Sequence, residues 1–175
     1  NGAAPVPVLA PQAPSDCFNT AIEAIRIAVK YRTPVFLLSD GYIANGAEPW
    51  EVPDLSAIPP IDPGFATAPN STDKAGKDVF LPYLRDPETL ARPWAIPGTP
   101  GLEHRIGGLE KADVTRAISD DPDNHDRRGR LRGQKVAGIA PGIPQLAVDE
   151  THPGAEPPLL GGGPTSGPRP STNTT

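Results

Sequence analysis

Residues with the chemistry to act fall into a few groups along this 175-residue chain. Cys17 stands where a helix would begin, and the N–H groups at a helix N-terminus can make a thiol reactive. The plainer assignment is a small buried apolar residue, because cysteine is among the most buried residue types. Asp40 closes an apolar run at the carboxyl end of a strand pattern, which is where open α/β sheets bind ligands. Without upstream partners, its expected task is to end the strand and accept bonds from loop N–H groups. His104 and His125, with Glu103, Asp121 and Asp126 nearby, match no zinc or calcium spacing and read as hydrogen-bonded surface histidines. Arg127, Arg128, Arg130, Arg132 and Lys135 follow Asp120, Asp121, Asp123 and Asp126. That alternation reads as a solvated mixed-charge helix or an ion-pair surface between subunits, not a nucleic-acid face. Gly161-Gly162-Gly163 lacks the Lys-Ser/Thr that completes a phosphate loop, and Asn70-Ser71-Thr72 reads as a polar turn that happens to match a glycosylation acceptor. The sequence therefore assigns no catalytic residue and no metal ligand, and the cofactor-binding residues stay unknown.

The elements that would position these groups are clearest between Ser15 and Trp50. No Pro or Gly falls between Ser15 and Thr33, in a chain with 18 Gly and 25 Pro. Phe18, Ala21, Ile22, Ile25, Ala28 and Val29 recur at three- and four-residue steps, predicting an amphipathic helix with that face inward. Ser15 or Asp16 is the expected cap, and Lys30 and Arg32 suit the C-terminal end of the dipole. Val35-Phe36-Leu37-Leu38 is apolar on both sides, as a parallel strand covered on both faces must be. Val6 to Ala10, with prolines at 5 and 7, is an edge or terminal strand candidate. Helix then strand is half of a doubly wound α/β sheet.

Composition bounds the rest. Proline is 25 of 175 residues against a usual share of about 5%, and aromatics are only 5%, so the core must be small. Eleven prolines lie between Pro49 and Pro100 and eight between Pro141 and Pro170. The first of these stretches carries Trp50, Phe65, Phe80, Tyr83 and Trp94, so it is expected to lie against a surface as a strap. Four parts result: 1–46, the strand–helix–strand unit; 47–100, a Pro-rich connecting strap; 101–140, a charged linker and helix; and 141–175, a disordered or aberrant tail. Asp121-Pro122 opens the helix, which runs to about Val136 with Leu131, Val136 and Ile139 as its apolar anchors. The net charge of −5 gives no reason to expect nucleic acid. No run of about 18 apolar residues suggests a membrane span. The single cysteine fits a reducing compartment, which points to the cytoplasm.

Three segments carry a family resemblance: YRTPVFLLSDGYIANGAEPW (Tyr31–Trp50), RDPETLARPWAIPGTPGLEHRIGGLEK (Arg85–Lys111) and DPDNHDRR (Asp121–Arg128). Together they resemble the α subunit of the 2-oxoacid:ferredoxin oxidoreductases, most closely the 2-oxoglutarate type of actinobacteria. The resemblance implies the C-terminal part of a doubly wound, pyrimidine-side thiamine-diphosphate-binding domain. A partner β subunit would hold the diphosphate, Mg²⁺ and an iron–sulfur cluster. The implied reaction is oxidative decarboxylation of a 2-oxoacid with CoA to acyl-CoA and CO₂, electrons passing to ferredoxin. The family's substrate-side motifs, Y-P-I-T-P and R-G-G-P-S-T-G, do not occur in this chain, and the pattern departs at Ala112–Asp121 and at Arg128-Gly129.

With no Met, the chain reads as a fragment, inactive alone, whose tail past Gly161 is natural, truncated or frame-shifted. The alternatives are a non-catalytic scaffold remnant of such a subunit, docking through its strap, or a related enzyme for pyruvate or another 2-oxoacid. One central strand with unpaired edges is expected to make the isolated chain fold poorly.

Overall fold

The computed structural model describes residues 5–115 and 117–143. The first unit is β1 (Val8–Leu9), a 3₁₀ turn at Pro14–Asp16, helix α1 (Cys17–Tyr31) and β2 (Phe36–Leu37). β1 and β2 pair in parallel, Val8 opposite Phe36 and Leu9 opposite Leu37. The Phe36 and Leu38 amides donate to Pro7 and Leu9 carbonyls at 3.0 and 2.8 Å. This is the expected strand–helix–strand crossover, and it leads into a short helix, α2 (Gly41–Asn45).

Details of the unit differ from the sequence expectation. The fully covered residues of α1 are Ala24, Ile27 and Tyr31, whereas Ile25 is 51% exposed. None of these three belongs to the stripe the sequence points inward; apolar residues continue round the helix beyond that stripe, and the protein buries the part that meets the strand pair. Ile27, Tyr31 and Ile139 form the central cluster, with Leu9, Val35 and Ile143 packed against it. Neither Ser15 nor Asp16 caps α1: the Asp16 carboxylate instead accepts from the Gln12 amide and the Thr20 hydroxyl, each at 3.1 Å. The Ser15 amide donates to Glu48 at 2.7 Å. β2 is not covered on both faces, since Phe36, Leu37 and Leu38 all remain substantially exposed. The described residues supply β2 with one neighbouring strand and one helix, too little to cover a strand that is apolar all round.

The Pro-rich stretch touches the unit at Arg32 and at Phe18. It contains β3 (Phe65–Ala66), β4 (Ser71–Thr72), β5 (Asp78–Val79) and β6 (Trp94–Ala95); β3 pairs with β6 in parallel and β4 with β5 antiparallel. Arg32 is the staple. It ends α1 in the left-handed region at φ 50°, so its guanidinium leaves the helix axis. That group donates to the carbonyls of Val29, Pro63 and Gly64 and sits 4.0 Å over the Trp94 ring, which stacks on Phe65. Phe18 and Trp50 meet at 6.0 Å. Asn70 is more than a polar turn, because its side-chain amide both accepts from and donates to the backbone of Leu81.

Helix α3 (Pro122–Ala137) begins where the Asp-Pro pair predicts, with the Asp121 carboxylate accepting from the Asp123 amide at 3.0 Å. Order continues past residue 140, where the tail was expected to start: Ala140–Gly142 forms a 3₁₀ turn, Ile143 packs on the central cluster, and Arg26 donates to the Gly142 carbonyl at 3.2 Å. The apolar pair Ile139 and Ile143 accounts for this. The remainder of the expected tail, Gly161-Gly162-Gly163 included, lies outside the described residues.

Candidate functional site

The residues singled out by type do not assemble into one site. Cys17 is half-buried, its thiol 3.8 Å from the Ala13 carbonyl oxygen. Asp40 caps α2, accepting from the Ile43 amide at 2.8 Å, so its carboxylate is committed to structure as the sequence suggests. His104 bonds the Leu102 carbonyl at 2.7 Å and packs edge-on to Phe80, while His125 bonds Glu110 at 2.7 Å. The His125 bond is the main reason that the Glu110 carboxyl lies below its usual range. Among the described residues no three His, Cys, Asp or Glu side chains converge as a metal site requires.

The basic run divides by helix face. Arg127 pairs with Asp113 at 2.8 Å and Arg130 with Asp126 at 2.8 Å, as a solvated mixed-charge helix would. Arg128, Leu131, Arg132, Lys135 and Val136 recur at helical steps on the other side of α3 and line a cavity of about 570 Å³. Seven cationic residues border it, those three with Arg32, Arg85, Arg92 and Lys111, against a single acid, Glu110. In a chain of net charge −5 this is a sharp local reversal. Sequence reading missed the cavity because Arg32, Arg85, Arg92 and Lys111 reach it from separate segments. The i, i+4, i+7 spacing of Arg128, Arg132 and Lys135 was the one available signal.

Several of these cations are held in place by structure. Arg85 pairs with Asp113, both side chains nearly covered. Arg128 donates to the Lys111 carbonyl, and its guanidinium and that of Arg92 both lie against the Tyr83 ring. Buried Lys111 donates to the Leu109 carbonyl at 2.7 Å. Asn124 ties α3 to the same segment, donating to the Lys111 carbonyl and accepting from the Asp113 amide. Beside Asp113, Val114 takes φ 69° and the Thr115 amide donates back to the Asp113 carbonyl at 2.8 Å. That tight γ-turn is strained for a β-branched residue, and it fixes where Asp113 points.

Lys135 differs from these. Burial, with the nearby charges of Arg85 and Arg92 adding to it, pushes its ammonium down to about 8 from an ordinary 10.5. No carboxylate among the described residues bonds it. A base whose folded pKa is lowered binds its proton more tightly when unfolded, so stability rises with pH between the two values. Lys135→Met is therefore expected to be more stable relative to the parent at pH 7.5 than at pH 10.5. Urea midpoints of both proteins across that range test this, and a gap that does not shrink as pH rises contradicts it.

Comparison with known proteins adds identity to this geometry. Residues 3–121 match the family model described as pyruvate flavodoxin/ferredoxin oxidoreductase, thiamine diP-bdg. The chain is 57% identical over 168 residues to the 2-oxoglutarate oxidoreductase subunit KorA of Mycobacterium tuberculosis, covering 96% of this chain and 24% of that protein. Among solved structures, the 2-oxoglutarate:ferredoxin oxidoreductase from Magnetococcus marinus, with 2-oxoglutarate, coenzyme A and succinyl-CoA bound, is similar at 27% identity and a TM-score of 0.56. That match covers 83% of this chain and 24% of the other. The chain thus spans about a quarter of the length of both relatives.

Proposed function

Because the chain belongs to the thiamine-diphosphate-binding family of pyruvate flavodoxin/ferredoxin oxidoreductases, we propose that it works as part of the α subunit of a 2-oxoglutarate:ferredoxin oxidoreductase. The enzyme would decarboxylate 2-oxoglutarate oxidatively with CoA, giving succinyl-CoA and CO₂ and passing two electrons to ferredoxin. The observation that carries the substrate is the 57% identity to the mycobacterial subunit. In this reading residues 1–46 close the pyrimidine-side domain, 47–100 strap it, and 101–140 lead towards a second domain. The setting is the cytoplasm, supported by the single cysteine. No helix among the described residues is long and apolar enough to cross a membrane.

The described residues do not by themselves fit the whole cofactor set. A four-cysteine cluster is impossible with one Cys in the chain, no trio of described acids or histidines converges for Mg²⁺, and Asp40 is occupied by its cap. We therefore assign the diphosphate, its Mg²⁺ and the cluster to a partner β subunit, and no reaction step to a residue of this chain. Its contribution is architectural: α1 and the Arg32 staple hold β1 and β2 in register.

The architecture makes its own test. The β1–β2 ladder uses the amides of Phe36 and Leu38, so by strand periodicity the Leu37 amide faces the opposite edge, free to pair with a further strand. Hydrogen exchange is expected to show Leu37 protected in the complete protein and exchanging rapidly in the 175-residue chain alone. Equal, fast exchange in both would sink the doubly wound reading.

A further inference from the structure

The basic cavity beside α3 is not explained by the architectural role. It is bordered by five stretches of chain, around residues 5–6, 32–34, 83–92, 107–111 and 128–136, and its volume lies within the range of small-molecule sites, roughly 300–1,000 Å³. Its acids are already spent. Glu110 bonds His125 and Asn124 and lies 3.9 Å from Arg128, and Asp113 is shared by Arg85 and Arg127. Arg132 is exposed and feels the Glu110 carboxylate only at a distance, whereas half-buried Lys135 has no acidic partner at bonding distance among the described residues. A half-buried cation placed between other cations is costly unless an anion completes the cluster. Guanidinium groups held rigidly by an ion pair or a ring, as Arg85, Arg92 and Arg128 are, suit the oxygens of phosphate.

We infer that this cavity binds a small polyphosphate anion, two or three linked phosphate groups carried by a nucleotide or free in solution. Arg132 and Lys135 make the direct contacts, and Arg85, Arg92 and Arg128 supply the fixed positive wall. A single monovalent anion would leave most of the charge uncompensated. The Tyr83 ring is already covered by Arg92 and Arg128, so recognition is of the phosphate chain and not of a stacked base.

Amine acetylation of the complete protein at pH 8, followed residue by residue by mass spectrometry, reads the site locally. Lys135 is the reporter, and exposed Lys74 and Lys77 are internal references. Tripolyphosphate, ADP and ATP are compared with sulfate at equal ionic strength. At a ligand concentration ten times the dissociation constant, acetylation of Lys135 should slow about tenfold while the references hold their rates. Arg132→Gln should require more ligand for the same protection. Protection by tripolyphosphate and nucleotides alike identifies the phosphate chain as the ligand, and protection by nucleotides alone identifies the nucleotide as its source. The proposal is overturned if Lys135 reacts but nothing protects it, or if sulfate protects equally, which is mere screening. It is also overturned if Lys135 is unreactive without ligand, because another part of the protein then fills the cavity.

Discussion

Replacing Ile27 by alanine is expected to destabilise the protein by about 2–5 kcal/mol, while the same change at Ile25, two residues away, costs less than about 0.5 kcal/mol. Ile27 has no exposed surface, and it sits between the strand pair and the segment after α3, touching the cluster that contains Tyr31 and Ile139. Truncation leaves a cavity where three parts of the chain converge, and among the described residues few other buried side chains share the load. Ile25, half exposed, loses only solvent-facing surface. Denaturant midpoints of the two variants measure the difference. A similar loss at both positions, or a larger one at Ile25, would mean that α1 buries the face its sequence periodicity suggests and not the observed one.

The second large effect is expected at Asp113. Its carboxylate, 12% exposed, bonds both Arg85 and Arg127, and Arg85 itself is 13% exposed. Asp113→Ala leaves Arg85 covered, unpaired and facing Arg128 and Lys135, a loss of about 3 kcal/mol for a buried pair broken from one side. The surface pair of Asp126 with Arg130 is the comparison, and Asp126→Ala should cost only a few tenths of a kcal/mol. Adding Arg85→Met to Asp113→Ala should restore part of the stability by removing the stranded charge. If the double variant is weaker by the sum of its parts, Asp113 acts through something other than that pair.

How much of this the sequence disclosed depends on the distance over which each feature is encoded. The α1–β2 unit is local: a Pro-free window, three- and four-residue apolar steps and a four-residue apolar run suffice. The Asp-Pro start of α3 and the cap made by Asp40 are local too. Which face of α1 goes inward is not, because the stripe read from the sequence centres on Ile25 and leaves out Ile27, and only contact with Leu9, Val35 and Ile139 selects the face that carries Ile27. Arg32 looked like a cation at a helix end. Its role as a staple depends on its left-handed backbone and on Trp94, some sixty residues away. The basic cavity was legible only in the α3 spacing, since the opposing arginines come from segments with no pattern in common. The family, by contrast, was carried by short strings of residues, and the match over residues 3–121 supports it.

The central claim is that this chain serves a 2-oxoglutarate oxidoreductase, and turnover tests it most directly. The complete protein, purified with its partner β subunit, should reduce ferredoxin in a reaction that requires both 2-oxoglutarate and CoA, with pyruvate a much poorer substrate. Succinyl-CoA and CO₂ should appear in equal amounts, with two reduced ferredoxins for each. Reduction that proceeds equally without CoA, or with neither 2-oxoacid, would contradict the account.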